Sequence, residues 1–157
     1  MKLTDILHPD RIVPALSASD RDGVLAELVE RGFGAAGQGR SDDDKERMLL
    51  ALQDRESRGS TAIKEGLAIP HGKVAGLPSL IAALGVHPGG VPFGALDGQD
   101  SRYFVALLAP ENCSGEHLKA LARIARLFSD GSLQKRLVDC DSKEALFDAI
   151  ATEDARY

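Results

Sequence analysis

Tryptophan is absent from this chain and aromatic residues make up only 4% of it, so its core must rest on leucine, isoleucine, valine and alanine. Cysteine is nearly absent too. Cys113 and Cys140 are too few for a disulfide framework and suit a reducing compartment. Long apolar runs are missing: the longest, Leu80–Val86, falls far short of the roughly 20 residues needed to cross a bilayer. The opening M-K-L-T-D-I-L-H-P-D has neither an extended apolar core nor a small-residue cleavage site, so no signal peptide is read there. Together these absences lead to the expectation of a cytoplasmic protein with no membrane insertion. Positive charge is in deficit, with 19 basic against 24 acidic residues and a net charge of −5. That balance argues against nucleic acid as the main partner, because no cationic surplus exists to displace counterions, although it leaves room for a local basic patch. Internal repeats and low-complexity tracts are lacking as well.

What is present fits an ordinary globular protein, with 43% hydrophobic and 27% charged residues. A length of 157 residues is expected to form one domain, residues 1–157, large enough to bury a full core. Leu3, Ile6 and Leu7 form an apolar cluster that Pro9 closes. Ser19 or Asp20 can cap a helix carrying Val24, Leu25, Leu28 and Val29 on one face, with Gly32 and Gly34 stopping it. The tract Gly34–Arg40 reads as a loop. Ser41, followed by Asp42, Asp43 and Asp44, is the clearest helix start, and this helix delivers Arg55 and Glu56 near its C-terminal end. Leu80–His87 and Tyr103–Ala109 read as strands, Pro88–Pro92 as a loop between them, and Asp97–Gly98 as a turn. Helical spacing returns from Gly115 to about Phe128, with Leu118, Leu121, Ile124, Ala125 and Phe128 expected inward. Ser132 and Ser142 open two further helices. Helices first, three or four strands in the middle and helices last give an α/β or α+β layered fold with a mixed sheet.

One stretch presents a reactive side chain. In G-L-A-I-P-H-G-K (Gly66–Lys73), Leu67, Ala68 and Ile69 read as a short buried strand that Pro70 stops. His71 follows at the strand's mouth, and Gly72 is expected to turn the backbone away. An imidazole on a stiff support suits a nucleophile or general base; a plain loop histidine is the alternative. The stretch is not a phosphate-binding P-loop, since five residues separate Gly66 from Gly72 and Val74 stands where the magnesium-binding hydroxyl would be. The four histidines (His8, His71, His87, His117) show no zinc spacing, so no metal and no cofactor is expected. Cys113 and His117 lie four apart at a helix start, where a dipole can lower a thiol pKa, but C-S-G-E-H matches no redox or protease signature.

The remaining constellation is Arg55, Thr61, His71 and His117. Its chemistry would be phosphoryl transfer to an imidazole nitrogen. A neutral imidazole is available near neutral pH, and the transferred group needs cationic and hydrogen-bonding donors around its three equatorial oxygens. Arginine can hold two of those oxygens, a second histidine a third, and a threonine hydroxyl can add another bond. Helix N-terminal amides near Gly115–His117 also favour an anion. Each residue has an ordinary reading as well: Arg55 as a solvated helix end, Thr61 as a loop cap, His117 as a helix-surface residue. Spacing leaves both readings open.

Arg55–Glu56, then S-T-A-I-K-E-G-L-A-I-P-H-G-K at Ser60–Lys73, Asp97–Gly98, and A-P…H-L at Ala109–Leu118, in that order, resemble the IIA domain of the bacterial phosphoenolpyruvate-dependent phosphotransferase system. The resemblance is to the fructose/mannitol and nitrogen-regulatory type and covers almost the whole chain. It implies a single-domain mixed β-sheet flanked by helices. By the same resemblance His71 is the phosphoryl acceptor, modified on Nε2 by an HPr-like histidine phosphocarrier. His117 is the second active-site histidine, Arg55 contacts the phosphoryl group, and Thr61 is the neighbouring hydroxyl. The chain departs from the family at Ala62 and Lys64, where glycines are frequent; Lys64 either adds to the positive field or points to solvent. The H-G-K after Pro70 and the L-T-D-I-L opening look more like the nitrogen-regulatory branch, which implies a stand-alone phosphocarrier that regulates target proteins by its phosphorylation state. The alternatives are a transport component passing phosphate to a IIB protein, and a binding module that transfers nothing.

Overall fold

The computed structural model describes residues 1–157. After a 3-10 turn at Leu3–Asp5 come β1 (Leu7–Val13), α1 (Arg21–Glu27), α2 (Asp42–Ser57), β2 (Leu67–Ala68), β3 (His71–Val74), β4 (Ile81–Val91), β5 (Ser101–Pro110), α3 (Ser114–Leu127), α4 (Ser132–Leu137) and α5 (Lys143–Asp154). One mixed sheet has the order β1-β4-β5-β2, with β3 also on β5. β4 and β5 are antiparallel, whereas β1 on β4 and both β2 and β3 on β5 are parallel. Helices cover both faces, as expected.

The layering follows from the two-residue alternation of a strand. Along β5, Tyr103, Val105, Leu107 and Ala109 face a core shared with α3, α4 and α5, through residues such as Ile124, Leu127, Leu133 and Ile150. Phe104, Ala106 and Leu108 face a second core shared with α1 and α2, through Val24, Leu25, Met48 and Leu52. A strand buried on both sides reads as an unbroken apolar run, which is how Tyr103–Ala109 reads.

The helix starts act as the sequence implied. Asp20 caps α1 by accepting from the Gly23 amide at 2.7 Å, and Ser41 and Asp44 form a reciprocal capping box on α2. α1 continues as a π-helical stretch, Leu28–Phe33, past Gly32 and ends at Gly34, whose N–H bonds Val29 O at 2.6 Å. Both cysteines are free thiols.

Five expectations are corrected. Pro9 does not close an apolar cluster. It lies within β1 on an edge of the sheet, where a missing N–H is tolerated and the register against β4 shifts between Leu7 and Ile12. β4 does not end at His87 but runs through Pro88–Val91, with Gly90 at φ 77° and an irregular register beside β5. The strand at Leu67 does not stop at Pro70. Leu67 and Ala68 pair with Tyr103 and Phe104, and His71 and Gly72 with Leu107 and Leu108, so one register continues across Ile69–Pro70. Gly72 therefore makes no turn. It is an extended residue within β3, and what needs its missing side chain is the neighbouring helix.

The fifth correction concerns α3. Its buried face is His117, Ala120, Ile124 and Leu127, while Leu118 is 68% exposed. Of the residues expected inward, Ile124 and Phe128 are fully buried and Leu121 and Ala125 pack against the core; only Leu118 fails, and its neighbour His117 turns inward instead, where it meets His71.

Candidate functional site

A cleft of about 370 Å³ opens where α2, β3 and the start of α3 meet, lined by Arg55, Arg58, His71, Lys73 and His117, with Ala51, Asp54 and Gly72 as its floor and side. Residue alternation on β3 splits the roles of its residues. His71 points to the α3 side, and Gly72 points to α2, where a Cβ would meet Ala51 O at 2.9 Å and Ala51 Cβ at 3.1 Å. The missing side chain lets α2 lie directly on the strand. One turn further along α2, that contact sets Arg55 beside the imidazole.

The two histidine rings meet edge to face, with centroids 5.3 Å apart and planes at 80°. His71 Nδ1 lies 2.7 Å from the carbonyl oxygen of Ile69. A carbonyl only accepts, so Nδ1 carries the proton, and in the neutral ring the lone pair is on Nε2. The tautomer is thus set by the backbone two residues upstream. His117 is buried at 7% exposure, and its Nε2 has no hydrogen-bond partner. A buried polar atom without a partner is costly.

Burial holds the pKa of His71 below the ordinary histidine value; the Ile69 carbonyl and Glu56 oppose this, and Arg55 and Arg58 add to it. His117 is lowered by burial first, then by His71 and Lys73. Both rings are therefore neutral at neutral pH. Around them stand Arg55, whose Nη1 donates to Gly59 O at 2.8 Å, Arg58, paired to Asp54 at 3.3 Å, and Lys73, whose Nζ reaches Ser114 Oγ at 3.2 Å. Ser114 opens α3, and the Cys113 N-cap supplies no side-chain bond to its first-turn amides. Three cations, one carboxylate and an uncapped helix start make this a site for an anion on a protein that is acidic overall.

The four residues singled out from sequence are treated unevenly. Arg55, His71 and His117 meet in the cleft. Thr61 does not line it. It is buried behind the site, its Oγ1 donating to Glu56 Oε1 at 2.6 Å and its N–H to Glu56 Oε2 at 2.7 Å. Lys64 is exposed in the turn before β2, outside the cleft. The Cys113 thiol is pushed up by burial and by Glu116, away from a reactive thiolate. No three His, Cys, Asp or Glu side chains cluster to hold a metal, and no helix is long and apolar enough to cross a membrane.

Arg58 and Lys73 had no catalytic reading in the sequence, yet their spacing carries one. Arg58 follows Arg55 by three on one helix face, and Lys73 follows His71 by two on one strand face. Glu56 stood in the Arg55–Glu56 pair without a role; its burial at 2% exposure has no signal in the sequence.

Comparison with known proteins gives a consistent result. The family model described as "Phosphoenolpyruvate-dependent sugar phosphotransferase system, EIIA 2" matches residues 5–153. A "Nitrogen regulatory protein" of Bradyrhizobium diazoefficiens is 34% identical over 151 residues, covering 96% of this chain and 95% of that protein. The "PTS system fructose-specific EIIABC component" of Bacillus subtilis is 32% identical over 98% of this chain, which spans only 24% of that longer protein. The solved structure of nitrogen regulatory protein IIA-Ntr from Neisseria meningitidis superposes with a TM-score of 0.81 at 28% identity, covering 93% of this chain and 97% of that one.

Proposed function

This chain belongs to the EIIA 2 family of the phosphoenolpyruvate-dependent sugar phosphotransferase system, and on that premise we propose that it is a histidine phosphocarrier whose acceptor is His71 Nε2. The observation that carries the reading is the His71 Nδ1 bond to Ile69 O, which leaves the Nε2 lone pair free, in a cleft ringed by Arg55, Arg58 and Lys73. The donor is an HPr-like protein bearing a phosphohistidine. Nε2 attacks phosphorus as the donor's P–N bond breaks. The donor ring, protonated on its other nitrogen, leaves as a neutral imidazole with the electron pair of that bond, while His71 keeps its Nδ1 proton on Ile69 O. Arg55 swings from Gly59 O to the phosphoryl oxygens, Lys73 and Arg58 neutralise their charge, and His117 donates to one of them. Thr61 serves the site from behind.

Within the family, relatives matched over nearly their whole length are nitrogen regulatory proteins, which favours a cytoplasmic regulator that binds target proteins according to its phosphorylation state. A phosphoryl group adds close to two negative charges to the cleft, enough to make or break a protein interface there. The second reading, a IIA component passing phosphate to a separate IIB protein, is favoured by the match to a fructose-specific component.

Incubation with phosphoenolpyruvate, enzyme I and the HPr-like carrier, read by intact mass, tests the proposal. One acid-labile phosphoryl group is expected on the wild type and none on His71→Ala. No gain with both upstream proteins active would overturn the phosphocarrier reading in favour of a binding module. Loss of the group to a cysteine-bearing IIB protein would favour transport; retention would favour regulation.

A further inference from the structure

Three hydrogen-bonded links, the first of them double, run in series from the end of α2 to the reactive ring. Glu56 accepts the Thr61 N–H at 2.7 Å and the Thr61 hydroxyl at 2.6 Å. The Thr61 carbonyl accepts the Ile69 N–H at 3.1 Å. The Ile69 carbonyl accepts Nδ1–H of His71 at 2.7 Å. We propose that Glu56 is a positioning residue of the phosphoryl-transfer site: through Thr61 and Ile69 it holds the carbonyl that fixes the His71 tautomer, and so selects Nε2 as the acceptor. The inference rests on the phosphocarrier reading for its function but not for its geometry.

The carboxylate is an expensive choice for a mere loop anchor. It is almost fully buried, and none of the protein's ion pairs includes it. A buried anion is tolerated only where short charge-assisted bonds satisfy it, and both of its bonds go to one residue. Thr61 is thereby pinned at its amide and at its hydroxyl, so its carbonyl direction is fixed. Ile69 depends on that carbonyl because the β5 side of the strand is bonded through Gly66 and Pro70, whose oxygens accept the amides of Tyr103 and Leu107. Pro70 removes a further ladder donor immediately after it. The relay transmits position, since each link crosses a different peptide group.

The test uses the full chain labelled with ¹⁵N. Long-range ¹H–¹⁵N spectra report which ring nitrogen of His71 carries the proton, with no phosphoryl donor present, and thermal unfolding reports the fold. Wild type is expected to be the Nδ1–H form. Glu56→Ala is expected to give a mixed tautomer population and to slow phosphoryl acceptance roughly 10–100-fold, the effect of a displaced reacting group. Glu56→Gln keeps an acceptor for the Thr61 N–H and is expected to restore the Nδ1–H form and most of the rate. A folded Glu56→Ala protein with unchanged tautomer and rate overturns the proposal. If that variant does not fold, Thr61→Val, which removes only the hydroxyl link, decides: a shift towards Nε2–H supports the relay, and an unchanged ring overturns it. Failure of the wild type to accept phosphate would defeat the phosphocarrier reading and leave the tautomer result standing on its own.

Discussion

The carbonyl oxygen of Ala51 stands 2.9 Å from the place where a Cβ on Gly72 would be. The backbone of α2 is thus set against the reactive strand by the absence of one methyl group. Gly72→Ala must push the helix away, and the obstruction is backbone, which yields poorly. A loss of about 1–3 kcal/mol by urea denaturation is expected. Phosphoryl acceptance on His71 should fall by more than the folded fraction explains, because Arg55 moves with the helix.

Arg55 and Arg58 both lower the pKa of His71, so removing either cation should raise it. In ¹H NMR titrations, Arg55→Ala and Arg58→Ala are expected to move the His71 midpoint upward, towards the ordinary histidine value. The wild-type acceptance rate should hold as pH falls through 6.5 and drop only below it; a midpoint above 6.5 would contradict the site's electrostatics.

Stability carries the same sign. His71 and His117 have folded-state pKa values below the unfolded value near ~6.5. Their contribution is complete above that value and is lost as pH falls through it towards the folded pKa, because the unfolded chain binds more protons there. Unfolding free energy should decline over this window, and His71→Ala together with His117→Ala should flatten the decline.

On α3, Ile124→Ala is expected to cost about 2–5 kcal/mol, and Leu118→Ala to stay within about 0.5 kcal/mol. The reverse order would mean that Leu118, as the spacing suggested, and not His117 faces inward.

Glu65 is the only residue other than glycine with a positive φ, at 64°, and its carbonyl accepts from Gln134 Nε2 at 3.3 Å. Asparagine tolerates this conformation better and keeps the carbonyl bond. Glu65→Asn should raise stability by about 0.5–1 kcal/mol in thermal unfolding.

How much of this was legible depended on whether a signal was local. The capping box at Ser41–Asp44 and the two-sided burial of Tyr103–Ala109 are written in consecutive residues, and both could be read directly. His71 was legible for the same reason, as an imidazole following a short apolar strand. His117 was also singled out, but its burial was not legible, since the helical spacing put Leu118 inward and only the packed fold shows His117 against His71. Thr61 was read as a hydroxyl facing the phosphoryl group, whereas it lies behind the cleft, bonded to Glu56. A hydroxyl beside a phosphoryl acceptor suggests a ligand; only the buried Glu56 shows that its proton is already committed. Pro70 and Gly72 misled because each residue punctuates an isolated strand, whereas here β5 on one side and α2 on the other carry the chain straight through them.

Ile69 lies on the outer strand of the sheet, where unpaired backbone groups are an invitation to another strand. Its N–H is taken by Thr61 and its carbonyl by the ring of His71. The opposite rim is interrupted by Pro9 and a register shift in β1. The imidazole therefore also closes the sheet border on which it sits. A second protein reaching the cleft finds no backbone ladder at Ile69 to extend, and must meet His71 through side chains, in an encounter that can come apart once the phosphoryl group has moved.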